Sequence, residues 1–440
     1  MPSILVPWMF FQGLSDDPAV AAAEDWIETK NPEVAAPWFR ALLRFAAEED
    51  PIPLPATVSL WQSYLLHRLF FSTFPSPDEG KEWRRALQGG LAADLRRVRP
   101  LYHLDPAPLL ESLGLGPEVL SPDFTSAAST ARGDTLLNQW LSDQLTEVAR
   151  SLETTEDWAD LADLFTRAFR SMGSGPAARH WVFKWEGPSR RLVPVIEPDP
   201  ITLADLVGYE RQRKQVLQNT EQFVLGLPAN NVLLYGDRGT GKSSLVKALV
   251  HEFGARGLRL VEVARRDLGD FPLIVRLLRR RPQKFILFFD DLSFGEGETF
   301  YKDLKTLLEG GVERRPNNVL LFATSNRRHL VNERFSDRGW PTRGDEEDDL
   351  HLEDTVQEKL SLADRFGLTV SFLSPDQELF LEMVGHMAKR AGLEIEEDSL
   401  RRLALQWERR HNGRSGRSAR QFVDHLAGEL ALEKKKVDQR

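Results

Sequence analysis

Gly236, Asp237, Arg238, Gly239, Thr240, Gly241, Lys242 and Ser243 spell G-x-x-x-x-G-K-S, after the apolar residues 232–235 and before a helix-like stretch that Ser244 opens and His251 closes. Three glycines let a backbone curl until its N–H groups converge on one point, and the start of the following helix adds partial positive charge there. The run therefore suits the oxygens of a polyphosphate. Lys242 would neutralise the β- and γ-phosphates, and the Ser243 hydroxyl would hold Mg²⁺, so the expected ligand is Mg-ATP or Mg-GTP rather than a dinucleotide.

Cleaving such a ligand takes a metal, a polarised water and stabilisation of charge on the γ-phosphate. Residues 285–289 are Phe-Ile-Leu-Phe-Phe and end in Asp290 and Asp291. Ligands of parallel sheets bind beyond the carboxyl ends of the strands, so this strand would aim both acids at the phosphates. Asp290 would hold Mg²⁺ directly or through water, and Asp291 would orient or deprotonate the attacking water. A solvated pair of acids at a strand end is the alternative.

Elements that could position these groups follow from the pattern of apolar residues. From residue 204 helices and strands alternate, with strands expected at 231–235, 258–263, 285–289, 319–323 and 368–372, apolar enough to be buried on both faces of a parallel sheet. After Phe372 three helices are expected, at 375–391, 399–410 and 419 to about 434. Ser374 with Gln377 and Ser418 with Gln421 read as capping boxes for two of them. Upstream, Leu137, Leu141, Leu145, Val148 and Leu152 recur at helical spacing, as do Trp158, Leu161, Phe165 and Phe169. The chain then divides into a mostly helical region at 1–185, a hairpin and Pro-rich linker at 186–203, an α/β core at 204–373 and a helical lid at 374–440. Nine of the eleven tryptophans precede residue 190. At helical spacing they read as core, with a docking surface as the alternative.

Composition excludes several classes. Without cysteine there is no disulfide, thiol catalysis or cysteine-bound zinc. The apolar start, residues 1–11, lacks a basic flank and is too short to span a bilayer, which predicts a cytoplasmic protein with no membrane association. Net charge is −9, and residues 1–200 hold 18 Lys and Arg against 28 Asp and Glu. The remainder is close to neutral and contains one acidic run, 345–349, so a nucleic-acid partner is compatible with the charge but no polybasic tract announces one.

The order of these features resembles the AAA+ class of P-loop ATPases. Residues 319–326 look like its sensor 1 strand, with Asn326 as the residue whose amide would hold the γ-phosphate and the water; an Asn ending a strand can also be a turn residue. Arg365, in the run 359–367, resembles an arginine finger reaching a neighbouring subunit's site, with a local pair to Asp364 as the alternative. Arg420 resembles sensor 2, with Arg417 as the fallback, and Val207, Gly208 and Tyr209 look like the segment beside adenine. The absence of N-K-x-D also favours adenine. More closely, residues 228–236, 290–294, 323–330 and 417–422 resemble a bacterial AAA+ family catalogued only as a domain of unknown function, over roughly residues 180 to 430.

The resemblance implies a parallel five-stranded α/β core with helices on both faces, a C-terminal helical lid, ATP and Mg²⁺ as ligands, and a homo-oligomer, with a hexamer as one form, joined through Arg365. A protein partner would be recruited by the N-terminal region. Two departures qualify this. Asp291 stands where glutamate is commonest, which suits slow, switch-like turnover, and residues 264–272 lack the aromatic-apolar-Gly triplet of threading unfoldases. Three functions stay open: remodelling of a protein partner, nucleotide-switched loading on nucleic acid, and a non-hydrolysing scaffold.

Overall fold

Apolar runs with β-branched and aromatic residues become strands here, and stretches with three- and four-residue apolar spacing become helices. The computed structural model describes residues 11, 14, 16–46, 58–71, 81–120, 135–173, 175–279, 281–292, 316–326, 366–411 and 413–438. Arg365, Arg327, Arg328 and the acidic run 345–349 lie outside them.

Helices α1 (Pro18–Thr29), α2 (Ala35–Ala46), α3 (Leu60–Phe71), α4 (Lys81–Tyr102), α5 (Thr135–Thr154) and α6 (Ala162–Ser171) make up most of the N-terminal region. Among its described tryptophans Trp38, Trp61 and Trp158 are fully buried core, and Trp38 packs on Trp61 with ring centres 5.6 Å apart.

Seven strands follow, β1 (Val182–Glu186), β2 (Arg191–Pro194), β3 (Val232–Gly236), β4 (Leu258–Glu262), β5 (Lys284–Phe289), β6 (Val319–Ser325) and β7 (Leu368–Phe372). They form one sheet in the order β2-β1-β4-β5-β6-β3-β7. The five expected strands run parallel from β4 to β7, which forms one edge. The hairpin adds to their other edge, because β1 pairs in parallel with β4 as well as antiparallel with β2. That pairing satisfies the β4 backbone on its outer side and covers an edge that would otherwise be open.

Between the strands run α7 (Glu210–Val224), α8 (Lys242–Phe253) and α9 (Phe271–Leu278). Side chains alternate across the sheet. Val232, Leu234, Ile286, Phe288 and Phe322 meet α7, α8 and the N-terminal helices in one continuous core, while Leu233, Leu287, Phe289 and Leu321 face α9. Phe271 at the start of α9 is partly buried against that second layer.

The junction with the N-terminal region centres on Arg259 of β4, fully buried among apolar strand neighbours. Its guanidinium donates to the carbonyls of Ser171, Met172, Ala177, Gly254 and Leu258 at 2.6–3.2 Å. Burial pulls its pKa down to about 9, so the charge survives at neutral pH and is met by carbonyl dipoles, among them those closing α6. Gln283 adds a bond from its amide to Phe169 O at 3.0 Å.

The lid consists of α10 (Gln377–Arg390), α11 (Glu397–Arg410) and α12 (Gly416–Asp438) around Phe380, Val384, Ala404 and Phe422. Neither expected capping box forms. Asp376 caps α10, accepting from Leu379 N at 2.9 Å, because Ser374 is engaged elsewhere. At α12 the cap is a reciprocal pair of backbone-to-hydroxyl bonds between Ser415 and Ser418, which starts the helix one turn earlier than Ser418 as a cap would.

Candidate functional site

The loop after β3 turns through Gly236, Gly239 and Gly241, at φ 131°, 75° and 90°, in the region that disfavours any Cβ. Gly236 is further constrained, since a Cβ there would strike the Phe372 carbonyl. Gly241 caps α8, whose first residue, Lys242, is buried. Lys242 Nζ donates to Gly236 O at 2.9 Å and Asp237 O at 2.6 Å, and lies 3.5 Å from Asn326 Oδ1. Burial lowers its pKa, opposed by the charges of Asp237, Asp291 and Asp290. A lysine held this way gains by exchanging loop carbonyls for an anion.

Strands β5 and β6 run in register with Phe289 opposite Ala323, which sets Asp290 beside Thr324. Thr324 Oγ1 donates to Asp290 Oδ1 at 2.6 Å and accepts from Asp291 N at 2.8 Å. Ser243 Oγ also donates to Asp290 Oδ1, at 2.5 Å. Asp291 has φ 52°, and its Oδ1 accepts from the Asn326 amide at 2.6 Å. A hydrogen-bonded path thus runs from Ser243 through Asp290, Thr324, Asp291 and Asn326 to Lys242. Thr324 was missed from sequence. Aligning the ends of the two strands would have found it.

These groups line a cavity of about 740 Å³ between sheet and lid, together with Val207, Gly208, Tyr209, Arg238, Thr240, Ser244, Arg417 and Arg420. Tyr209, at φ 56°, donates its hydroxyl to Leu373 O at 2.6 Å and packs its ring at a tilt of 49° on Phe372. Arg417 N meets Gly239 O at 3.3 Å, so the start of α12 closes on the loop. Asp205 tethers the same segment to the lid through Arg390 at 2.6 Å. Burial raises the Asp205 pKa, but the Thr202 hydroxyl and amide, with Arg390 and Arg420, outweigh it and leave the carboxyl below its usual range. Two expected ligand residues do not line the cavity: Gly236 lies against the Phe372 backbone, and the Asp237 carboxylate faces Ser374 instead. Arg365 lies outside the described residues. A second hollow, about 820 Å³, sits inside the lid against Leu381, Val384 and Leu400, and no loop glycine or strand-end acid reaches it.

The donors in the first cavity fit a magnesium-bound triphosphate. Among the described residues no group of three His, Cys, Asp or Glu could hold a metal alone. Ser243 with Asp290 makes the sparse oxygen set that Mg²⁺ takes when phosphates and waters complete its shell.

A phosphate loop ahead of α8, paired acids on the adjacent-but-one strand, a polar residue ending the strand between them and a helical lid define the AAA+ class of P-loop proteins. Within it, the chain belongs to the family described as "Protein of unknown function (DUF815)", whose model matches residues 178–430. It is similar to the replication factor C large subunit of Staphylothermus marinus, 38% identical over 83 residues, covering 19% of this chain and 18% of that one. It is also similar to the proteasome-activating nucleotidase of Sulfurisphaera tokodaii, 30% identical over 162 residues, covering 31% and 41%. The chain thus spans less than half the length of these curated relatives. Among solved structures, the RuvB Holliday junction branch migration motor of Thermotoga maritima aligns with 53% of this chain and 67% of its own at 17% identity and a TM-score of 0.38.

Proposed function

We propose that this chain binds Mg-ATP between the phosphate loop and the lid and hydrolyses it at a subunit interface to remodel or assemble a macromolecular partner. The hydrogen-bonded path from Ser243 to Lys242, lining one cavity, carries the reading. Lys242 would leave the Gly236 and Asp237 carbonyls for the β- and γ-phosphates, and Ser243 and Asp290 would hold Mg²⁺. The bound metal would supply charge neutralisation at the phosphate oxygens. Asp291, oriented by Asn326, would take the proton of the attacking water, and Arg420 would approach the γ-phosphate from the lid. Val207, Gly208 and Tyr209 would flank adenine. Arg365 would act on the neighbouring subunit's site, making the active form a ring or arc. The N-terminal region would receive a protein partner in the cytoplasm; among the described residues no helix is long and apolar enough to cross a membrane.

A slow, nucleotide-switched loader on nucleic acid is the second reading. What favours it is the short Asp291 side chain, already bonded to Asn326 and one methylene from the glutamate commonest there. The partial similarity to a replication factor C large subunit points the same way. Steady-state ATP turnover of the wild type against Lys242→Ala tests the first reading. Turnover that needs Mg²⁺ and disappears with Lys242 supports it; absence of turnover in the wild type would sink it. For the second reading, nucleic-acid affinity should fall steeply with salt, and a flat titration removes it.

A further inference from the structure

A carboxylate is an odd side chain for a phosphate loop, because it repels the ligand the loop exists to hold. Asp237 resolves this by turning away from the cavity. Its Oδ2 accepts from Ser374 N at 2.6 Å and from Ser374 Oγ at 2.8 Å, and its own N–H donates to Phe372 O at 2.9 Å. Ser374 lies in the stretch between the end of β7 at Phe372 and the first residue of α10 at Gln377, where the sheet hands over to the lid. The Asp237 carbonyl meanwhile accepts from Lys242 Nζ at 2.6 Å and Thr240 Oγ1 at 2.9 Å. One residue therefore joins the phosphate-seeking lysine on one side to the lid connection on the other. The two Ser374 bonds, side chain then backbone, hold the Asp237 pKa below its ordinary value.

We propose that Asp237 is a positioning residue, a latch that ties the state of the phosphate loop to the lid connection at Ser374, so that Lys242 leaving the Asp237 carbonyl for a phosphate changes how the lid is held. This rests on the reading that the cavity takes Mg-ATP. Tyr209, bonded to Leu373 O, grips the same connection from the adenine side, so Leu373 and Ser374 are held at both ends of the expected nucleotide.

The chain has no cysteine, so Glu252→Cys on α8 and Arg402→Cys on α11 give a unique pair of spin labels reporting the distance from core to lid. That distance is measured with and without saturating Mg-ATPγS in the labelled wild type, Ser374→Ala and Asp237→Ala, with binding followed separately by calorimetry. The expected result is a nucleotide-dependent shift in the wild type, a smaller one in Ser374→Ala at unchanged affinity, and none in Asp237→Ala. A full shift in Asp237→Ala overturns the latch, as does a wild type that binds ATPγS without any shift. Loss of ATPγS binding in Asp237→Ala also overturns it, since the carboxylate would then be acting on the nucleotide. If Asp237→Ala melts early, Ser374→Ala decides alone: a reduced shift supports the latch and a full one removes it. A wild type that binds no ATPγS at all defeats the ATP reading itself, which is a separate result.

Discussion

At the scale of single residues, the site is organised around hydroxyls that bring acids together. Asp290 and Asp291 are consecutive, and on a straight strand their side chains would point to opposite faces. The left-handed backbone at Asp291 and the Thr324 hydroxyl between the two acids turn both toward Lys242. Thr324→Val keeps the shape of the side chain and removes both bonds. Turnover is expected to fall ~10–100-fold with little change in ATP affinity, because Ser243 and the loop still hold the ligand. A drop confined to KM would contradict this assignment. Asp291→Asn should bind ATP and lose at least ~10²-fold in turnover, the usual share of a general base. Asparagine is among the side chains that tolerate φ near 52°, so its melting temperature should stay close to wild type, whereas Asp291→Val should be destabilised.

At the scale of elements, the apolar runs gave the positions of β3 to β7 to within two residues at their ends, because buried parallel strands must be apolar on both faces. The phosphate loop and paired acids were legible for the same local reason. What could not be read was anything depending on which strand lies beside which. The bond between Thr324 and Asp290 needs the β5–β6 register, and Ser374 looked like a helix cap because its partner, Asp237, is 137 residues away. Arg259 was lost inside the run 258–263, where one cation among apolar residues carries no signal about its five carbonyl acceptors. Arg259→Leu removes a donor from each of them; Gly254 O keeps the Gly257 N–H, and each buried acceptor left unmet and not rescued by water costs ~1–3 kcal/mol. Global stability by urea denaturation should drop by several of these, far more than for Arg256→Leu nearby, whose side chain pairs with Glu221 at the surface. His67 on α3 offers a pH readout of the helical core. Burial, then the charges of Arg179 and Arg68, hold its imidazole at about 3. The unfolded ring protonates near ~6.5. Its contribution is complete above that value and is lost as pH falls toward 3, at up to ~1.4 kcal/mol per pH unit. His67→Gln should flatten the stability curve across that window and leave it unchanged above pH 7.

At the scale of the whole molecule, the N-terminal helices and the sheet are parts of one packed body. The core that begins with Phe11, Trp38 and Trp61 continues without a break into Val232, Ile286 and Phe322, and β1 and β2 extend the sheet from residues that precede the α/β core. A chain cut to begin at residue 204, where the α/β alternation starts in the sequence, keeps the phosphate loop, the paired acids, Asn326 and the lid arginines. It loses β1 beside β4, the Ser171, Met172 and Ala177 carbonyls that meet Arg259, and the helices covering one sheet face. A buried guanidinium stripped of three acceptors, beside a newly exposed apolar face, is a combination that few domains survive. We expect that truncation to aggregate, or to melt more than ~10 °C below the full chain, since each kcal/mol lost is worth ~2–4 °C at this size. The full chain should show the N-terminal helices and the sheet unfolding as one transition in calorimetry. A soluble, monodisperse 204–440 fragment melting within a few degrees of the full chain would show instead that the N-terminal region is an independent unit resting on the sheet.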